Sequence, residues 1–127
     1  MKKGIVLTTL IILLSINTAT AADKWSKTDT ILEITWQIIH GMDWLQTTQI
    51  ARNPNKYYEA VPTTAAIIGR HPKEQNVHLY MATSSLIHAV TTHYLPKTYR
   101  PYFQGFTITI SGGLVLHNLT IGLEIKI

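Results

Sequence analysis

The chain has 127 residues, a formal charge of +4 at neutral pH and no cysteine, with 46% hydrophobic and only 14% charged residues. That length accommodates one domain, and the missing cysteines exclude the disulfide staples on which small exported domains commonly depend. The charged fraction lies well below the roughly one-quarter usual in water-soluble domains, which points towards lipid, and no basic tract interleaved with aromatics argues for nucleic acid.

Residues 1–21 have the order of an export signal. Lys2 and Lys3 precede an apolar run from Ile5 to Ile16, and Ala19 and Ala21 supply the small side chains a signal peptidase accommodates. Cleavage after Ala21 leaves residues 22–127 as a single mature membrane domain.

Three apolar stretches follow, at about 30–50, 77–95 and 102–125, each long enough as a helix to cross a hydrocarbon core of about 30 Å. The expected fold is therefore all-α: a small membrane bundle of three transmembrane helices after a cleavable signal peptide. Ala60 to Ile68, broken by Pro62, is too short to span and reads as an interfacial segment. The long connection carries Arg52, Lys56, Arg70 and Lys73, whereas the short one near Pro96 carries Lys97 and Arg100. The positive-inside bias then makes the long loop cytoplasmic and the mature amino terminus periplasmic, in agreement with the signal.

Polar residues recur at helical spacing within each stretch. Glu33, Gln37, His40, Asp43 and Thr47 share one face, as do Met81, Ser85, His88 and Thr92, and again Gln104, Thr107, Ser111 and Asn118. Three such stripes imply a bundle turned inward on its polar groups, with Glu33, Gln37, Glu59, Ser85 and Asn118 in its interior. Gly112 and Gly113 are expected to permit close helix approach, and the tryptophans and tyrosines to anchor the ends at the interface. The tail from Leu119 to Ile127 alternates apolar and polar residues, as Phe106 to Ser111 also does. This suits an extended tail after a helix ending near Asn118, or, as an alternative for the whole chain, a small outer-membrane β-barrel.

His40 and Asp43 stand one turn apart, and with His88 and His117 they form a candidate divalent-metal set of imidazole and carboxylate donors. The alternative for the same residues is structural hydrogen bonding between helices. No HExxH, nucleophile elbow or phosphate loop is present in the sequence, so enzymatic activity is not the favoured reading and no catalytic residue is assigned.

The segments His40-Gly41-Met42-Asp43-Trp44-Leu45-Gln46-Thr47, Ile50-Ala51-Arg52-Asn53-Pro54, Tyr57-Tyr58-Glu59 and Gly69-Arg70-His71-Pro72, with His88, Leu95-Pro96 and His117-Asn118, resemble a set of uncharacterised small polytopic membrane proteins of bacteriophages and bacteria. The resemblance covers most of the mature chain. It implies a polytopic helical membrane protein and supplies no established activity; the chain as a whole is expected to be an inner-membrane protein that acts by interaction in the envelope, with lipid and either an envelope protein or further copies of itself as partners. Superinfection exclusion and assistance to lysis are the narrower roles it suggests. An intramembrane metal- or proton-handling site is the rival expectation.

Overall fold

The computed structural model describes residues 22–127, so the export signal lies outside the described residues. Four helices follow in order: α1 (Lys27–Arg52), α2 (Pro62–Ile68), α3 (Glu74–Tyr94) and α4 (Arg100–Thr120). The three long ones are about 39, 32 and 32 Å long at 1.5 Å per residue.

Local chemistry sets the boundaries. Ser26 caps α1 through a capping box, its hydroxyl accepting from the Asp29 N–H at 3.0 Å while the Asp29 carboxylate accepts from the Ser26 N–H at 2.8 Å. Pro62 opens α2 and Pro101 opens α4, where the missing N–H costs nothing. Leu95 ends α3 in an extended conformation because Pro96 disfavours the helical region for the residue before it. After α4, Gly122 takes φ +91, Leu123 N–H donates to Asn118 C=O and Gly122 N–H to Leu119 C=O, which is a Schellman ending with Leu123 buried beneath it.

α1 is the central helix and packs against both α3 and α4, which touch each other only slightly. The apolar core is small: Ile68, Val77 and Met81, with Trp44, Ala51 and Tyr80 partly buried against them. Most of what is buried is polar, including Asp29, Glu33, Gln46, His88, Arg100 and Gln104. Large aliphatic and aromatic side chains point outward instead. Ile31, Ile34, Ile38, Leu86, Phe106 and Leu116 are each more than half exposed. No described helix is long and apolar enough to cross a membrane.

Several expectations need correction. No strand forms among the described residues, so the barrel alternative does not hold: Phe106 to Ser111 is helical, and the alternating tail makes a turn and then irregular chain. Cβ atoms built on Gly112 and Gly113 meet nothing within 4 Å, so these glycines face open space and not a neighbouring helix. Trp36 is buried, only 6% exposed, in the middle of α1 rather than anchoring an end. Arg100 is not a loop charge but the fully buried first residue of α4.

Candidate functional site

The polar stripes of α1, α3 and α4 meet along the bundle axis. At the end where α1 begins, the Arg100 guanidinium donates to five backbone carbonyls, those of Asp23, Lys24, Thr92, His93 and Leu95, at 2.8 to 3.2 Å. It also reaches the Asp29 carboxylate at 3.5 Å. One planar fork therefore ties the segment before α1, the end of α3 and the start of α4 together. A fixed, always charged set of five N–H donors is suited to that task.

One turn further in, Glu33 is surrounded by four side chains. Gln37 Nε2 donates to Oε1 at 2.9 Å and His88 Nδ1 lies 3.0 Å from the same oxygen, while the Thr92 hydroxyl and Gln104 Nε2 donate to Oε2 at 3.2 and 3.3 Å. Gln104 Nε2 also donates to the Asp29 carbonyl at 2.9 Å. Because both contacts of that nitrogen are to acceptors, the amide orientation is fixed and its Oε1 is left buried without a partner. The Ser85 hydroxyl donates to Gln37 Oε1 at 2.5 Å, which carries the network to α3.

His88 is the point where all three long helices converge. Its Nε2 lies 2.8 Å from the Thr107 hydroxyl oxygen, which is itself 3.1 and 3.0 Å from the carbonyls of Phe103 and Gln104. The threonine has one hydrogen to place. Given to a carbonyl, it leaves Nε2 to donate to the hydroxyl; given to Nε2, it leaves that nitrogen as the acceptor. The His88 ring lies parallel to Trp36 with centroids 3.6 Å apart, and His40 is parallel to the same indole at 4.6 Å. His40 Nε2 donates to the Met81 carbonyl at 2.9 Å, and Trp36 Nε1 donates to Ser111 Oγ at 3.2 Å.

At the far end the interior opens. Asp43, Glu59, Asn118 and the exposed His117 line a cavity of about 60 Å³. Asn118 Nδ2 donates to Asp43 at 3.3 Å and to Gln46 Oε1 at 3.1 Å, and Gln46 Nε2 donates to the Val115 carbonyl at 3.2 Å. The Glu59 carboxylate accepts from the Val61 N–H at 2.8 Å. Burial pushes its carboxyl above the ordinary value, against the lowering effect of backbone N–H groups of Val61 and Ala60.

The structure thus divides the candidate metal donors between two places. His40 and His88 belong to the Trp36 stack, whereas Asp43 and His117 belong to the open cavity, and among the described residues no three histidine or carboxylate groups converge at metal-binding distance. Glu33, Gln37, Ser85, Asn118 and Glu59 are all buried or half-buried. Asp29, Trp36 and Arg100 were missed as interior groups. Asp29 was accessible to reasoning, since it lies four residues before Glu33 on the same helical face.

Comparison with known protein families, with curated proteins and with solved structures returned no match.

Proposed function

We propose that this chain is a small inner-membrane protein of the bacterial envelope, in which α1, α3 and α4 span the bilayer and which acts by associating with another envelope component rather than by catalysis. The observation that carries the reading is the inverted distribution of side chains: charges and amides fill the axis while isoleucine, leucine and phenylalanine cover the outside. In water that arrangement leaves a large apolar surface exposed and spends the interior on groups costly to desolvate. In lipid the same outward side chains are solvated by hydrocarbon, and the buried polar groups hold the helices together. Averaged hydropathy understates such helices because it counts the inward stripe with the outward face.

Charge at the two ends supports the orientation. Arg52, Lys56, Arg70, Lys73 and Lys126 are exposed at the α2 end, against Lys24, Lys27 and Lys97 at the other, where Arg100 is sequestered. The α2 end is accordingly cytoplasmic. Membrane fractionation tests residence: the full chain is expected to stay with the membrane after alkaline extraction, and recovery in the soluble fraction would reject the reading. Lys97→Cys is expected to react with an impermeant thiol reagent in whole cells and Lys73→Cys not to react. The opposite pattern would overturn the orientation.

The narrower roles, exclusion of a second phage or assistance to lysis, rest on the sequence resemblance. Their test is phage challenge and lysis timing in a host expressing the chain. A second reading, a proton-handling site, is favoured by the Glu33, His88 and Thr107 contacts, which offer one proton two positions. Loss of the expression phenotype in a folded His88→Gln variant would favour it over simple helix bonding.

A further inference from the structure

Ala22 to Ser26 precede α1 without regular structure, yet they are held to distant parts of the chain. The Asp23 carboxylate accepts from the Lys97 N–H at 3.0 Å, and the Asp23 and Lys24 carbonyls accept from Arg100 at 2.8 and 3.2 Å. Trp25 completes the set. Its Nε1 donates to His93 Nδ1 at 3.1 Å, and the Arg100 guanidinium carbon stands 5.9 Å from the centre of its ring. We propose that this strap is an acid-released latch, held shut by neutral His93 and freed when that ring takes a proton at Nδ1. The inference stands apart from the membrane reading, which adds only that this end faces the periplasm.

The chemistry of the bond sets its sign. An indole N–H is a donor and never an acceptor, so the contact requires a lone pair on His93 Nδ1 and places the ring proton on Nε2. A charged imidazole donates from both nitrogens. Two N–H groups would then point at each other across 3.1 Å, and the indole has to leave. Closure and protonation therefore oppose each other: the latch is shut at the upper side of the range in which histidines change charge, about pH 5 to 8, and open at the lower side. The neighbouring charges do not reverse this. Arg100 of α4 donates to the His93 carbonyl at 2.8 Å, and Lys24 and Lys97 belong to the strap and to the connection after α3. Of the carboxylates at this end, Asp23 is turned to the Lys97 N–H and Asp29 of α1 faces Arg100 at 3.5 Å. Tyr94 meets the imidazole edge-on, with centroids 5.0 Å apart.

A second bond of the same kind shows why release is confined to this end. Trp44 Nε1 donates to His78 Nδ1 at 2.7 Å, but α1 and α3 are packed together there and Trp44 lies against the core of Ile68, Val77 and Met81. Losing that bond frees no segment. No residue of the strap is buried, so polar contacts alone hold it. Its departure takes one acceptor each from Nη1 and Nη2 of Arg100, while Asp29 and the His93 carbonyl keep their contacts to the same nitrogens. The two donors set free pass to water.

The test uses the full chain in detergent. The sequence has no cysteine, so Lys24→Cys and Thr98→Cys introduce one pair of sites for nitroxide labels, on the strap and on the connection between α3 and α4. Lys24 contributes only its carbonyl to the latch, and that is kept. Pulsed electron resonance is expected to give one narrow distance distribution near pH 8, and at least a fivefold rise in the fraction of longer distances near pH 5. His93→Gln supplies an amide oxygen that accepts from the indole and takes up no proton, and is expected to stay narrow at both values. His93→Lys offers no acceptor and is expected to be broad at both. Asp23→Asn keeps an acceptor for the Lys97 N–H while removing the other acid-sensitive group of the strap, and is expected to open as the parent does. His93 is exposed at the end of α3, and circular dichroism checks that each labelled variant stays helical. A parent that stays narrow near pH 5, a His93→Gln chain that opens in acid or is broad throughout, a narrow His93→Lys chain, or an Asp23→Asn chain that no longer opens would each overturn the latch. Alkaline extraction decides membrane residence separately, so failure of the latch and failure of the membrane reading are read from different measurements.

Discussion

At the start of α1 the Asp29 carboxylate faces the fully buried guanidinium of Arg100, whereas near its end Asp43 and Glu59 share a cavity that, among the described residues, no lysine or arginine lines. The two regions use the same raw material, carboxylates turned into the bundle, to different ends. Around Arg100 every N–H of the fork has a fixed acceptor, so the charge is spread over several carbonyls and no space is left. Around Asp43 the nearest polar partners are amides and backbone N–H groups, and the cavity remains open. A buried charge that is completely bonded is structural; one left short of partners beside a cavity is available to a ligand or a proton.

The comparison breaks most directly at Arg100. Arg100→Ala leaves Asp29 without its cationic partner and five carbonyls without the guanidinium, and removing one partner of a buried pair typically costs about 3 to 5 kcal/mol. Thermal unfolding in detergent, followed by circular dichroism, is expected to show the largest loss of any variant considered. Arg100→Lys is expected to recover only a minor part, because a point charge with three N–H groups cannot reach the same carbonyls in one plane. If Arg100→Lys matched the parent, the fork would not be what holds the three segments.

His88 lies between the two regions and gives the next largest effect. His88→Ala removes one of the four donors around Glu33, the contact to Thr107 and the stack on Trp36. A loss of about 1 to 2 kcal/mol is expected, at the upper end for interhelical hydrogen bonds in membranes. His88→Gln keeps a donor for Glu33 but not the stacked ring, and is expected to restore about half. Full restoration by glutamine would assign the whole effect to hydrogen bonding, and none would assign it to the ring. The same pair of variants sharpens the comparison: a stability loss without loss of phenotype places His88 with the structural end.

Much of this interior was legible in the sequence, and the reason is periodicity. Glu33, Gln37 and His40 recur at helical spacing, as do Ser85, His88 and Thr92, and polar residues on one face of an otherwise apolar stretch have to point at each other. Helix ends were legible through Pro62, Pro96 and Pro101. What escaped was set by long-range geometry. Arg100 follows Tyr99 in a short connection and counts as a loop charge until the carbonyls of Asp23, Lys24 and His93 are seen around it. Trp36 reads as an anchor because tryptophan favours interfaces, yet its indole N–H finds Ser111 across the bundle. The separation of His40 and His88 from Asp43 and His117 depends on helix rotation and vertical offset, which spacing within single helices does not contain.

The smallest expected effect is at Glu59, and it separates the two ends by pH instead of by size. Burial raises this carboxyl in the folded chain above its value in the unfolded one. Its ionisation is therefore less favourable when folded, so the stability associated with the neutral acid is fully present below the unfolded value and is lost as pH rises through the folded one. Glu59→Gln keeps an acceptor for the Val61 N–H and cannot ionise. The variant is expected to match the parent near pH 4 and to melt at a higher temperature than the parent near pH 8, with the difference growing between those values. Asp43 feels the Glu59 charge across the cavity, so the substitution also removes that repulsion and the difference reports the two carboxyls together. A difference that stayed constant with pH would show that the Glu59 carboxyl is no harder to ionise in the fold than outside it, and the contrast with the bonded Arg100 end would then reduce to packing.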